Sequence, residues 1–191
     1  MDKITVGFAL CGSFCTFSQV IEEMESLLNK GYDIIPLMSF NAFSTDTRFG
    51  KAREHIEKIE ELCKRKIIAT FTDAEPIGPK KLLDILLIEP CTGNTLAKLA
   101  NGITDTPVTL AAKSHLRNNR PLLIAVSTND ALSGSSGNIG KLLNTKNIYF
   151  VPFRQDAPNE KPRSMISDFS KTEEAIINAV KGKQLQPIVF A

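Results

Sequence analysis

The stretch Ile85-Leu86-Leu87-Ile88-Glu89-Pro90-Cys91-Thr92-Gly93-Asn94-Thr95-Leu96-Ala97-Lys98-Leu99-Ala100-Asn101-Gly102-Ile103-Thr104-Asp105 decides the fold, because a buried-strand pattern breaks there into a polar turn and a helical periodicity. Residues 85–88 are continuously apolar, as in a central strand covered on both faces. Leu96, Leu99, Ala100 and Ile103 then recur at helical spacing. Between the two patterns lie Thr92, Asn94 and Thr95, whose hydroxyls and amide both donate and accept hydrogen bonds. Beside the unpaired amides of a helix start, such a turn can receive a planar heteroaromatic ring or an acid group. The plainer alternative is that Thr92 only caps the helix.

Outward from this segment, strand and helix patterns alternate. Residues 4–10 read as a strand, Cys11-Gly12-Ser13 as a turn, and 18–29 as a helix ended by Gly31. A strand over 33–40 and a helix over 48–66 follow, with Ile56, Ile59, Leu62 and Cys63 facing inward. Residues 67–71 suggest a short strand, 107–118 a helix, 122–127 a strand, 136–143 a helix and 147–151 a strand. The proline- and charge-rich 152–164 reads as an irregular loop, and Ser170-x-x-Glu173 as a capping box for a last helix over 172–180, ended by Gly182. With right-handed crossovers, this rhythm predicts an α/β fold. It is a three-layer, doubly wound, mostly parallel, Rossmann-like sheet with a crevice beyond the carboxyl ends of the strands.

The 191 residues, 42% hydrophobic, suit one domain spanning 1–191. A net charge of +2 supplies no field to attract nucleic acid or a membrane surface. The basic run Lys64-Arg65-Lys66 reads as the solvated end of a helix. No segment approaches the roughly 20 apolar residues of a membrane span, and Met1-Asp2-Lys3 leads straight into strand pattern, so a cytoplasmic protein is expected. Cys11, Cys15, Cys63 and Cys91 form no Cys-x-x-Cys pair, and His55 and His115 both fall in helical patterns; neither a metal site nor a disulfide framework is expected. Cys11 and Cys91 stand at strand ends, yet with no histidine nearby in sequence they read as packing residues rather than nucleophiles.

The first turn, Gly7-Phe8-Ala9-Leu10-Cys11-Gly12-Ser13, lacks the lysine of a nucleoside-triphosphate loop, and no Gly-x-Gly-x-x-Gly fingerprint occurs. What remains is a Gly-Ser turn able to hold an anion with amides and a hydroxyl. The tract Gly134-Ser135-Ser136-Gly137-Asn138-Ile139-Gly140-Lys141 is one residue too long for a phosphate loop and reads as a flexible loop into a helix.

The segment Pro90-Cys91-Thr92-Gly93-Asn94-Thr95 with its tail Leu96-Ala97-Lys98-Leu99-Ala100-Asn101-Gly102-Ile103 resembles the proline-alanine-serine-alanine-asparagine-threonine motif of a flavoprotein family. That family includes phosphopantothenoylcysteine decarboxylase, lantibiotic cysteine decarboxylases and flavin prenyltransferases, and the resemblance runs from Ile4 to about Phe153. It implies flavin mononucleotide (FMN) with its phosphate near Gly12, Ser13 and Ser39, Phe40 and Asn41 flanking the ring, and Asn94 and Thr95 contacting ring or acid groups. Ala125-Val126-Ser127-Thr128-Asn129 stands where the decarboxylases carry proline-alanine-methionine-asparagine. Only Asn129 is kept; Ser127 and Thr128 can bind flavin or a pyridine dicarboxylate, or simply end a strand. The decarboxylases also use a histidine before the central strand, whereas Glu75-Pro76-Ile77-Gly78-Pro79-Lys80-Lys81 has none, which argues against decarboxylation and leaves no assignable general base. Lys80 and Lys81 can answer a dianionic substrate or be plain exposed lysines. The resemblance thus implies an oxidoreductase component that oxidises a dihydropyridine dicarboxylate together with a partner protein carrying NAD(P). A chain that has lost its cofactor and only stabilises that partner is the alternative, and a homo-oligomer, such as a trimer, is expected by analogy.

Overall fold

Strands and helices alternate through the computed structural model, which describes residues 3–190; Met1, Asp2 and Ala191, the ends of the expected domain, lie outside the described residues. The order is β1 (Thr5–Leu10), α1 (Phe17–Asn29), β2 (Asp33–Met38), α2 (Phe40–Ser44), α3 (Ala52–Cys63), α4 (Phe71–Ala74), β3 (Ile85–Cys91), α5 (Gly93–Ala100) and α6 (Pro107–Leu116). It continues with β4 (Leu122–Thr128), α7 (Ser136–Leu143), β5 (Ile148–Phe150), β6 (Phe153–Gln155), β7 (Met165–Ser167) and α8 (Thr172–Ala179). The first five strands are parallel, with β2, β1, β3, β4 and β5 side by side. This is a doubly wound order whose direction of winding reverses between β1 and β3, the place where such sheets open a crevice. The turns after β1 and β3, at Gly12 and Thr92, therefore face each other across the switch point.

Alternate residues of the central strands feed two cores. Leu87, Phe8 and Leu123 pack with Val20, Met24, Ile59 and Ile176, under α1, α3 and α8. Leu86, Ile88 and Ile124 pack with Leu96, Val108, Ala111 and Leu142, under α5, α6 and α7. Each fully buried Leu, Ile or Phe contributes about 1.5–3 kcal/mol, so these layers hold the strand ends in register. The architecture is the three-layer, mostly parallel α/β fold that the alternation predicts.

Several boundaries depart from the sequence expectation for local reasons. The second strand stops at Met38, because Ser39 caps α2 by accepting the Ala42 amide. The helix expected from 48 begins at Ala52, after Thr47 and Gly50 close a turn and Asp46 accepts the Ala52 amide. Residues 67–71 make only an isolated bridge from Ile68 to Leu37, since Thr70 instead caps α4. β3 runs on through Glu89, Pro90 and Cys91, all buried. Ile103 lies beyond the end of α5 and is exposed. Ser170 is not a cap of α8: its hydroxyl bonds Asp168 within a 3₁₀ turn, and α8 starts without a side-chain cap.

The largest departure is the expected loop at 152–164. It holds β6, which pairs antiparallel with β7, and β7 in turn pairs antiparallel with Ser127 and Thr128 at the tip of β4. This hairpin extends the sheet past the crevice and walls one side of it. No helix among the described residues is long and apolar enough to cross a membrane.

Candidate functional site

The ends of β1, β3 and β4 supply the site, and the residues after β2, from Ser39, complete it. After β1, Cys11 is buried and Gly12 leads to Ser13. The Ser13 amide is not free as expected, for it donates to the Cys11 carbonyl, and a 3₁₀ turn (Phe14–Thr16) intervenes before α1. The Ser13 hydroxyl instead reaches over to β4 and lies 2.8 Å from the hydroxyl of Ser127. After β3, Thr92 caps α5: its hydroxyl accepts the Thr95 amide at 3.5 Å and lies 3.3 Å from the Thr95 hydroxyl. The plain capping role is therefore real, and the neighbouring Asn94 is exposed, with no side-chain hydrogen bond among the described residues. At the end of β4, Thr128 Oγ1 donates to Asp130 Oδ1 at 2.5 Å.

These ends enclose two adjoining clefts of about 390 and about 410 Å³, both lined by Gly12, Thr92 and Asn94. The first is completed by Ser13, Ser127, Thr128, Asn129, Asp130, Lys161, Ser164 and Ile166. The second is completed by Ser39, Phe40, Asn41, Thr95, Lys98, Asp105 and Thr106. All ten positions singled out in the sequence as binding candidates thus line one continuous rim. Lys80 and Lys81 are exposed and line neither cleft.

Charges divide the rim. Lys98 pairs with Asp105 at 2.8 Å and Lys161 with Asp156 at 3.0 Å. Asp130 has no basic partner among the described residues; its Oδ1 takes hydroxyl bonds from Thr128 and, at 2.9 Å, from Ser135. The tract expected to be a flexible loop is thus pinned, with the Ser133 and Ser135 amides both donating to the Asp130 carbonyl. Gly93 is required by this cluster: a Cβ there would sit 2.6 Å from Ser135 Oγ and 2.7 Å from Asp130 Oδ1. Sequence reading missed Asp130 and the two ion pairs, because each depends on chain folding back from a loop. The adjacency of Asp130 to the Ser127-Thr128-Asn129 segment was the available signal.

The thiols behind the rim are inert. Burial pushes the Cys11 thiol up to about 11, against hydrogen bonds from Thr95 and Ser39 that favour the thiolate. Burial likewise holds Cys91 well above the ordinary thiol value, with Cys11 adding to the effect. The histidines lie elsewhere: His55 packs against Phe17, and His115 Nε2 lies 3.0 Å from the Pro121 carbonyl oxygen.

The donor set of the second cleft fits FMN. Hydroxyls of Ser39, Thr92 and Thr95, the amides of Asn41 and Asn94 and the Lys98 ammonium surround it, and its one carboxylate is neutralised by Lys98. A Cβ on Gly12 would meet the Phe14 ring at 3.4 Å and Asn41 Cβ at 3.9 Å, ordinary contact distances, so the turn is loosely packed there.

Residues 1–178 match the family model described as Flavoprotein. The chain is 46% identical over 184 residues to the B subunit of dipicolinate synthase from Bacillus subtilis, covering 96% of this chain and 92% of the relative. Its structure superposes on the crystal structure of the corresponding B subunit from Bacillus halodurans with a TM-score of 0.90 and 42% identity, covering 98% of this chain and 96% of the other. Burkholderia xenovorans DmrB in complex with FMN, described as a cubic protein cage for redox transfer, shares the fold at 14% identity and a TM-score of 0.70, covering 94% of this chain and 97% of that one.

Proposed function

Because the chain belongs to the Flavoprotein family and is a homologue of the B subunit of dipicolinate synthase, we propose that it works as one half of a two-component dipicolinate synthase. With the A subunit of that enzyme, which binds NAD(P), it oxidises dihydrodipicolinate to dipicolinate in the cytoplasm of the mother cell of a sporulating bacterium. The observation that carries this reading is the end-to-end likeness to the Bacillus subtilis protein, 46% over 96% of the chain. Chemically, loss of a hydride and a proton from a dihydropyridine is driven by the aromatic ring it creates.

In this reading the chain is one flavoprotein-like domain over 1–191, assembled as a homo-oligomer. Ser39, Asn41, Thr95 and the Gly12 backbone hold FMN, with Ser13 at the phosphate end. Thr92 and Asn94 stand between flavin and substrate, and Ser127, Thr128 and Asn129 border the substrate. FMN, when bound, supplies two-electron redox chemistry. The chain's own groups orient flat anionic guests and partly exclude water. The FMN-bound relative with the same fold supports the flavin assignment.

Independent decarboxylation is disfavoured. The segment before β3 has no histidine, and the two the chain possesses lie outside both clefts. The same lack favours, as a second reading, a non-catalytic chain that stabilises its nicotinamide-binding companion.

Reconstitution separates these readings. Dihydrodipicolinate oxidation is measured with each component by itself and with both, with and without FMN. The mixture is expected to exceed either component, and a nicotinamide-binding companion that matches the mixture unaided would remove this chain from the chemistry. Asn94→Ala is expected to weaken dipicolinate and FMN binding by about tenfold, the worth of roughly one hydrogen bond to a charged group, without lowering the melting temperature. Titration by calorimetry checks it, and unchanged affinities for both would clear Asn94 of any role.

A further inference from the structure

Oxidation of a dihydropyridine releases a proton as well as a hydride, and the sequence offers no obvious group to receive it. Resting on the oxidation proposed above, we infer that Asp130 is that proton acceptor and hence a catalytic residue of the first cleft. Its carboxylate lines the same space as Ser13, Asn94 and Ser127. Thr128 at 2.5 Å and Ser135 at 2.9 Å both donate to Oδ1, fixing the plane of the group. Among the described residues, Oδ2 accepts no hydrogen bond and no cation pairs with the side chain.

The other charged groups near the rim are committed. Lys161 and Asp156 neutralise each other, as do Lys98 and Asp105. Cys11 and Cys91 are buried thiols, and Glu89 is buried within the sheet, bonded to Thr172. Asp130 is the carboxylate of the rim that has both an oxygen to spare and no cation beside it among the described residues. A purely structural role would ask only for an acceptor atom to tie Thr128 and Ser135 together. An amide would serve that role equally well, which makes the two roles separable.

Atoms and electrons balance in this step. The C–H bond at the saturated ring carbon breaks, and its electron pair leaves with the hydrogen as hydride to a bound two-electron oxidant of the flavin or nicotinamide class, which is reduced. The second proton, from the adjacent ring position, goes to Asp130 Oδ2. The electron pair it leaves behind forms the last π bond of the pyridine. The protonated carboxyl then returns its proton to water through the open cleft.

The test compares the wild-type chain with Asp130→Asn, each reconstituted with the nicotinamide-binding companion. The variant is expected to lose about 10²–10⁴-fold in kcat/KM together with the acid limb of the pH profile, the signature of a removed base, while melting temperature and association with the companion stay as they were. Independently of turnover, dipicolinate is expected to bind the isolated Asp130→Asn chain about tenfold more tightly, since a like charge beside the dianion is gone. Should Asp130→Asn not fold, Asp130→Ala with added formate replaces it, and activity rising with formate is the expected result. A wild-type complex without activity would sink the proposed function along with this inference. An active wild type, matched in rate and pH profile by Asp130→Asn, or an Asp130→Ala enzyme indifferent to formate, would overturn the role of Asp130 alone.

Discussion

Glu89→Gln is expected to abolish the loss of stability that Glu89 itself contributes as the pH rises above about 5, a loss read as the difference between variant and wild type. Glu89 is fully buried in β3, with Oε2 accepting a 2.7 Å hydrogen bond from Thr172 Oγ1 at the start of α8 and Oε1 without any partner among the described residues. Burial pushes its carboxyl well above the usual carboxylate range; the Thr172 bond opposes this and the nearby Glu23 carboxylate reinforces it. The folded chain therefore keeps a proton that the unfolded chain gives up near 4.5. Its contribution to stability is complete below that pH. It is lost at about 1.4 kcal/mol per pH unit as the pH rises, until the buried carboxyl itself ionises. Glutamine preserves the shape and the acceptor for Thr172 but has nothing to ionise, and any cost of burying its amide is the same at every pH. Denaturation midpoints of both chains are expected to diverge as the pH rises from about 5; parallel curves would mean that Glu89 is ionised or solvated in the folded state.

Glu89 also shows what the sequence could and could not convey. The continuous apolar run at 85–88 marks a central strand, and the pattern from Leu96 marks its following helix, because burial on both faces and on one face leave different periodicities. A single glutamate after such a run reads as the strand's polar end. Only the packing of α8 over β3 makes it interior. The turns at Gly12 and Thr92 were legible because small polar residues followed apolar strands. The hairpin of β6 and β7 was not, since its partner strand β4 ends some 25 residues before β6 begins and its own connection is rich in proline and charge. Asp130 escaped for a similar reason: its surroundings are set by Ser135, which folds back over it, and by Gly93 from another strand-helix unit. Local chemistry thus outlined the rim, and long-range folding supplied its charge.

At the opposite end of the pH scale, His115 is expected to cost the wild-type chain about 3 kcal/mol relative to His115→Gln as the pH falls from about 6.5 to about 4. His115 is buried on α6, and its Nε2–H donates to the Pro121 carbonyl at 3.0 Å, a bond that the neutral ring makes. Burial, helped by the Arg120 cation, brings its pKa down from 6.5 to about 4, against the Pro121 carbonyl and Asp84, which favour the charged ring. Here the unfolded chain binds the proton first. The stabilisation is therefore present above about 6.5 and lost as the pH drops toward 4, the reverse of Glu89. A glutamine amide can still donate to Pro121 and cannot take up a proton. The two slopes oppose each other between about 4.5 and 6.5, so the pair favours mildly acidic conditions; above that window Glu89 acts alone, and below it His115 does. Midpoints of chemical denaturation for wild type, each single variant and the double variant check this. Carboxylates elsewhere, such as Glu60, whose pKa is lowered chiefly by its hydrogen bond from Lys66, affect all four chains alike and cancel in the differences. A His115→Gln curve that stays parallel to the wild-type curve through pH 5 would show that the ring is protonated in the folded state and that the bond to Pro121 survives the charge.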